Sequence, residues 1–325
     1  MDSPRNILRT VKAAKNILIP LHLRPDGDSI GSALACYHFF RSLDKKATVV
    51  SADPVPEFLL FLPGAKRVKV VDAHDLSLEK FDLIFLTDIG GPDRFSHAGK
   101  IEIPSQSILV NIDHHKSNRG YGDLNYVVAG AAATAEILYD LFRFWKVRIT
   151  PEIADCLLTG IYTDTGGFLY SSTTADSFAK AADLIKKGGN RNQIAEYSFR
   201  SWSPKAIQLW SQILVSAKIR KGLAYSQLSH PALRKANASP GELSGIRAFA
   251  VNNLLLAIRG IRVAALFAEE KPRQIRVTLR SIGSADVVKV AERFGGGGHL
   301  NSAAFDYQGS LKKIIPQTLK MLKVI

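Results

Sequence analysis

The stretch that decides the fold is Asn16-Ile-Leu-Ile-Pro-Leu-His-Leu-Arg-Pro-Asp-Gly-Asp-Ser-Ile-Gly-Ser32. Residues 16–21 form an apolar run of strand length. Residues 24–27, Arg-Pro-Asp-Gly, are turn formers, and residues 29–43 carry apolar side chains at helical spacing. Strand, turn and helix open an α/β unit, and the pattern recurs: 47–51, 81–87 and 107–112 read as strands, 134–145 and 153–162 as helices. Apolar strands alternating with helices predict an α/β fold built on a mostly parallel sheet with flanking helices. Ligands of such sheets bind beyond the carboxyl ends of the strands.

Further along, residues 175–216 read as helices broken at Trp202-Ser203-Pro204, with Trp202 and Trp210 expected to pack. Strands at 261–267, 274–279 and 303–307 and a helix at 286–293 follow. The expected plan is a first domain over 1–190, a helical connector over 191–215 and a smaller α/β domain over 216–325. A chain of 325 residues has room for two cores. Its 46% hydrophobic content excludes a wholly disordered chain. No apolar run has the ~18 residues needed to span a bilayer, and residues 1–15 lack the apolar stretch of a secretory leader. Cys36 and Cys156 sit in apolar helical patterns and read as small buried hydrophobes. The net charge of +14 is uneven: residues 216–325 contribute +12 of it. That concentration points to a polyanionic partner for the second domain.

Polar clusters fall at the ends of the expected strands. His22, Asp26 and Asp28 follow the first; Asp88 ends 82–88; Asp113, His114 and His115 end 107–112; Asp164 precedes two glycines that would let the backbone approach a ligand. Five carboxylates gathered at one sheet edge would repel one another without cations. Mixed imidazole and carboxylate ligands suit Mn²⁺, Co²⁺, Fe²⁺ or Zn²⁺, whereas an all-oxygen set suits Mg²⁺. The candidates outnumber the ligands of one ion, and two ions bridged by a carboxylate at ~3.5–4 Å are an arrangement for phosphate-ester hydrolysis. In the second domain, Phe294-Gly-Gly-Gly-Gly-His299 can form a backbone nest for an anion, and Arg276 and Arg280 share one strand face where they could meet phosphates. Arg94, His38, His74, His97 and His230 show no partner pattern.

These residues resemble the motifs of the DHH phosphoesterase superfamily, subfamily 1, over essentially the whole two-domain plan. Asp113-His114-His115 matches the name-giving motif, and Arg280-Ser281 with the loop from Gly295 to His299 resembles the associated DHHA1 domain. The length is most similar to that of the bacterial nano-RNase/pAp-phosphatase group. The resemblance implies that His22, Asp26 and Asp88 hold one Mn²⁺. Asp28, Asp88, His114 and Asp164 would hold a second, with Asp88 bridging. It further implies that Asp113 orients the histidines, that His115 contacts the scissile phosphate, and that Arg280, Ser281, Gly296, Gly297, Gly298 and His299 grip the substrate across a cleft from the metals. One departure is Ala304, where the family usually has glycine.

The activity implied is hydrolysis of short oligoribonucleotides or of 3′-phosphoadenosine 5′-phosphate (pAp). A phosphodiesterase acting on cyclic dinucleotides or on linear pApA would use the same residues. A single-strand DNA exonuclease of the larger family members would need a further domain. A pyrophosphatase would lack the glycine loop, and a binding protein without catalysis would not need every ligand position filled. The expected partners are short RNA or nucleotides such as pAp, with longer single-stranded nucleic acid and a homodimer left open and no membrane. The expected location is the cytoplasm.

Overall fold

A computed structural model describes residues 1–199 and 202–322; the side chains of Ser198, Phe199, Pro240 and His299 lie outside that description. The chain forms two compact units, Met1–Arg200 and Ser201–Ile325.

The first unit contains strands β1 (Asn16–Pro20), β2 (Lys46–Ser51), β3 (Lys69–Val70), β4 (Leu83–Thr87), β5 (Ile108–Asp113) and β6 (Leu124–Val127). They pair in the order β3-β2-β1-β4-β5-β6, every pair parallel. Alternate residues of the central strands feed two cores, as the pleat requires. Ile17, Ile19, Phe85, Val110 and Ile112 pack with helices α1 (Pro4–Ala13), α2 (Gly27–Ser42), α3 (Thr134–Phe144) and α4 (Pro151–Asp164). Leu18, Val50, Ile84, Leu86 and Leu109 face the other way. That second face is covered by 3₁₀ turns and loops carrying Ala73, Leu78, Ile89 and Phe95 rather than by α-helices.

Helix α2 is buried along both sides, wedged between the sheet and α4. Small residues make this possible: a Cβ on Gly31 would lie 2.3 Å from the Cys156 carbonyl oxygen of α4. Cys36 and Cys156 are buried free thiols, and burial pushes both thiol pKa values up. Helices α5 (Ala175–Lys186) and α6 (Arg191–Phe199) complete the unit.

The second unit begins with α7 (Pro204–Val215), so the 191–215 stretch is shared between the units. Its sheet is mixed, in the order β11-β12-β10-β9-β8-β7: β7 (Lys218–Arg220), β8 (Leu223–Leu228), β9 (Val263–Lys271), β10 (Gln274–Ser281), β11 (Gly297–His299) and β12 (Ser302–Gln308). Only β8 and β9 pair in parallel. Along β9, Ala264, Leu266 and Ala268 pack beneath α7, α8 (His230–Ala236), α9 (Pro240–Phe249) and a π-helical turn over Ala250–Leu255. Val263, Ala265 and Phe267 pack beneath α10 (Val288–Glu292) and α11 (Leu311–Leu322). Trp202, Trp210 and Phe249 form an aromatic cluster, and Trp210 Nε1–H donates to the Ile246 carbonyl at 3.0 Å, so these rings pack as expected. No helix of the described residues is long and apolar enough to cross a membrane.

Candidate metal centre

Strands β1, β4 and β5 are neighbours running in parallel, so their carboxyl ends share one edge. Strand order reverses between β1 and β4, where a crevice is expected in an open sheet. His22 follows β1 by two residues, Asp88 follows β4 directly, and Asp113 ends β5 with His114 and His115 next. Asp26 precedes α2 and Asp28 lies in its first turn. Asp26 Oδ1 caps that helix, accepting from the N–H groups of Asp28 and Ser29 at 3.1 Å each.

Asp164 departs from the expected placement, since it arrives on the last turn of α4 and not at a strand end. The glycines after it form a chain reversal. Gly166 and Gly167 have φ of 61° and 70°, and a Cβ on Gly166 would meet the Tyr170 ring at 2.5 Å.

The structure brings these side chains together. His22 Nε2 is 3.6 Å from both Asp26 Oδ1 and Asp88 Oδ2. His114 Nε2 is 3.4 Å from Asp88 Oδ1 and 3.5 Å from Asp164 Oδ2. Asp88 therefore turns one oxygen toward each histidine. Its backbone is left-handed (φ 61°), a conformation that aspartate tolerates better than most residues, and Oδ1 accepts from the Thr134 hydroxyl at 3.1 Å. Asp28 is buried: Oδ2 accepts from Thr134 N–H at 2.6 Å, and Oδ1 accepts from Ala135 N–H at 3.0 Å and the Ser32 hydroxyl at 3.2 Å. It thereby ties the start of α3 to α2. Three overlapping sets have donor atoms within 4.8 Å of one another: His22, Asp26 and Asp88; Asp28, His114 and Asp164; Asp88, His114 and His115.

Hydrogen bonds on the far side of each ring fix what it offers. His22 Nδ1 lies 2.9 Å from the Leu23 carbonyl oxygen, and His114 Nδ1 lies 3.1 Å from that of Ala131. A carbonyl only accepts, so each Nδ1 carries a proton, and when the ring is neutral its Nε2 lone pair is the one left for a cation. His115 is held at the same nitrogen, but by a carboxylate: Nδ1 donates to Asp113 Oδ1 at 2.7 Å. That bond takes Nδ1, the nitrogen 3.7 Å from Asp88, out of the ligand set and leaves Nε2 as the open end.

The electrostatics follow from this crowding. Burial, with the charges of Asp88 and Asp164, raises the Asp28 carboxyl well above its ordinary range. Burial also pushes Asp164 up to about 7, against the pull of His114. Burial opposes charge on His22 and His114, yet the carboxylates of Asp26 and Asp88 around the first, and of Asp88 and Asp164 around the second, hold both imidazoles well above their usual value. Protons balance the excess negative charge of this cluster. A divalent cation bound to imidazole nitrogen and carboxylate oxygen would displace them, and the donor chemistry fits such an ion.

Sequence reading missed the residues that brace Asp113. Asn118 Nδ2 donates to Asp113 Oδ2 and to Asn111 Oδ1, both at 2.6 Å. Asn111 Nδ2 and the Tyr121 hydroxyl both donate to the Ile89 carbonyl, at 3.2 and 2.7 Å, which pins the backbone beside Asp88 to β5. Asn111 left a signal, as a polar residue inside an apolar strand two positions before Asp113 and hence on the same face. Asn118 and Tyr121 left none. Of the histidines without an expected partner, His97 pairs with Asp53 at 3.0 Å, and His38 and His230 hydrogen-bond to backbone carbonyls.

In the second unit, Arg280 is half-buried and donates to the Leu279 carbonyl at 2.9 Å. The Ser281 hydroxyl donates to Ala285 O at 2.6 Å and accepts from Asn301 Nδ2 at 2.8 Å, so its proton is committed to the adjoining loop. Arg276, expected on the same strand face as Arg280, pairs with Asp306 at 3.1 Å. Gly297–His299 pairs with β12, and glycine is required there by close approach: a Cβ on Gly296 would lie 2.3 Å from Ala304 O, and one on Gly298 would lie 2.2 Å from Ser302 O. Beside Gly297 there is open space. The His299 side chain lies outside the described residues.

A parallel sheet that gathers three imidazoles and five carboxylates at its carboxyl edge is the architecture of a metal-dependent phosphoester hydrolase. Comparison with known proteins agrees. The DHH family N-terminal domain matches residues 16–161, and the DHHA1 domain matches residues 220–323. The bifunctional oligoribonuclease and PAP phosphatase of Thermus thermophilus is 31% identical, over 95% of this chain and 89% of its own. A probable bifunctional oligoribonuclease and PAP phosphatase of Streptococcus mutans is 30% identical over 99% of both chains. The crystal structure of an exopolyphosphatase-related protein from Bacteroides fragilis superposes with a TM-score of 0.88 at 27% identity, covering 98% of this chain and 97% of that one. The chain belongs to the DHH family of phosphoesterases.

Proposed function

We propose that this hydrolase acts on short oligoribonucleotides and on pAp in the cytoplasm, with two divalent ions, Mn²⁺ in the cell. The observation that carries the reading is Asp88, with Oδ2 facing His22 and Oδ1 facing His114. The substrates are those named for the Thermus and Streptococcus relatives. His22, Asp26 and Asp88 would hold one ion, and Asp28, Asp88, His114 and Asp164 the other. Bound there, the ions supply Lewis acidity toward a phosphoryl oxygen and acidify the attacking water.

The chain's own residues orient and stabilise. Asp113 is fully buried and accepts from His114 N–H, His115 Nδ1 and Asn118 Nδ2, so it fixes both histidines together. Burial opposes charge on His115, but the hydrogen bond to Asp113 and the field of Asp88 raise its pKa above the ordinary value. His115 Nε2–H then donates to a phosphoryl oxygen as charge builds there. In the second unit, Arg280, the backbone of Gly296, Gly297 and Gly298, and His299 grip the substrate, while Ser281 braces the loop.

A turnover panel with Mn²⁺ tests the assignment, using pAp, pApA, cyclic di-AMP and RNA dimers to pentamers. Hydrolysis of pAp and the short RNAs is expected. Turnover of cyclic di-AMP or pApA alone would replace this substrate assignment with a dinucleotide phosphodiesterase. No Mn²⁺-dependent turnover of any of them would overturn hydrolysis itself.

A further inference from the structure

Part of the excess positive charge of the second unit is gathered in one row. At one edge of its sheet, backbone hydrogen bonds stitch four segments into a row. Ser281 N–H donates to Asn301 O at 3.0 Å, Ile282 N–H to Arg262 O at 2.9 Å, and Arg262 N–H to Gly222 O at 2.7 Å. The β11–β12 turn, the end of β10, the start of β9 and the β7–β8 turn therefore lie side by side. On that row stand Arg220 at the end of β7 and Lys221 after it, with Arg259 and Arg262 from the segment leading into β9, all four exposed. They continue from Arg280 across three strand spacings, about 14 Å.

Two features mark this row. None of the four side chains makes an ion pair among the described residues, and segments 218–223, 257–263 and 279–283 contain no acidic residue. At the opposite edge the basic residues stand among carboxylates: Arg247 pairs with Glu270, Arg276 with Asp306, and Arg273 N–H donates to Glu269. Like charges held at strand spacing repel one another unless a polyanion joins them. A chain of phosphates has the periodic charge that a row of this kind matches.

We infer that Arg220, Lys221, Arg259 and Arg262 form a track for a single-stranded phosphodiester backbone, extending the Arg280 end of the substrate site to oligonucleotides longer than the shortest substrates. The inference rests on the proposed function and adds its upper range of substrate length. Because the track engages phosphate, RNA and DNA single strands bind the row alike, and pAp is too short to reach it.

The test combines Arg220→Gln, Lys221→Gln, Arg259→Gln and Arg262→Gln, with Arg259→Glu plus Arg262→Glu as a second variant. Circular dichroism melting confirms folding. Fluorescence anisotropy in chelator-containing buffer measures binding of labelled RNA and DNA single strands of about twelve nucleotides across a salt series. Turnover of pAp with Mn²⁺ is measured alongside. The glutamine variant is expected to bind both strands about tenfold or more weakly. Its log–log salt slope should be shallower by about 2 to 3, at roughly 0.7 for each phosphate no longer neutralised, with pAp turnover unchanged. Unchanged affinity and slope in both variants would overturn the track. If the wild-type protein fails to hydrolyse pAp, the assigned substrate falls, and the binding comparison still decides the track.

Discussion

Gly160→Ala is the substitution in which fold and chemistry meet most tightly. Gly160 lies in α4 where it passes α2 and α3. An added Cβ would sit 2.6 Å from Asp28 Oδ1 and 2.6 Å from the Ala135 Cβ. Ordinary contact begins near 3.4 Å, so something must move by roughly 0.8 Å. Ala135 is fixed in α3. Asp28 Oδ1 is held by Ala135 N–H and the Ser32 hydroxyl, so the carboxylate must leave hydrogen bonds to move. Overpacking costs about 1–3 kcal/mol, and alanine recovers about 1 kcal/mol of helix propensity. The net loss of about 0–2 kcal/mol lowers Tm by only a few degrees. Displacing Asp28 by most of an ångström should lower kcat/KM by on the order of 100-fold and weaken ion binding. Thermal melting, Mn²⁺ titration and pAp turnover on the same preparation give the comparison. A folded variant with wild-type ion affinity and turnover would refute the placement of Asp28 in the site.

Asp88→Asn should leave the circular dichroism melt nearly unchanged and reduce turnover by about three orders of magnitude, because each half of the cluster loses the same charge. Asn118→Ala should lower kcat by about 10–100-fold, since Asp113 would hold the two histidines with one donor fewer; an unchanged kcat would remove Asn118 from the machinery. Ion binding should also depend on pH. The Asp164 carboxyl, pushed up to about 7, is largely protonated at pH 6 and must lose its proton to ligate. Affinity should therefore rise as pH increases through 7, and go on rising while the raised His22 and His114 imidazoles lose their protons. Calorimetry at pH 6.5 in buffers of different ionisation enthalpy should detect proton release; binding without it contradicts the buried, proton-carrying site.

The open parallel sheet was legible because β1, β4 and β5 are apolar runs of strand length that end in turns, and a parallel sheet gathers such ends at one edge. Asp26, Asp88 and Asp113 could therefore be placed from sequence. Asp164 could be recognised but not placed, since its contribution depends on α4 packing against α2 through small residues, a fact about surfaces and not about periodicity. The roof of 3₁₀ turns over the second sheet face has no repeat to detect. Asn118 and Tyr121 act through single hydrogen bonds to Asp113 and Ile89, which leave no pattern along the chain. In the second unit the glycine run was visible, but its cause is partly internal. Gly296 and Gly298 are required by the neighbouring strand whatever the loop binds.

The central claim is that Asp88 joins two ion sites in one chain. Electron paramagnetic resonance of the protein titrated with Mn²⁺, with the bound metal counted by elemental analysis, tests it most directly. Two ions per chain with a spin-coupled signal are expected, with the coupling lost in Asp88→Ala. One ion per chain, or two that remain magnetically independent in the wild-type protein, would contradict it.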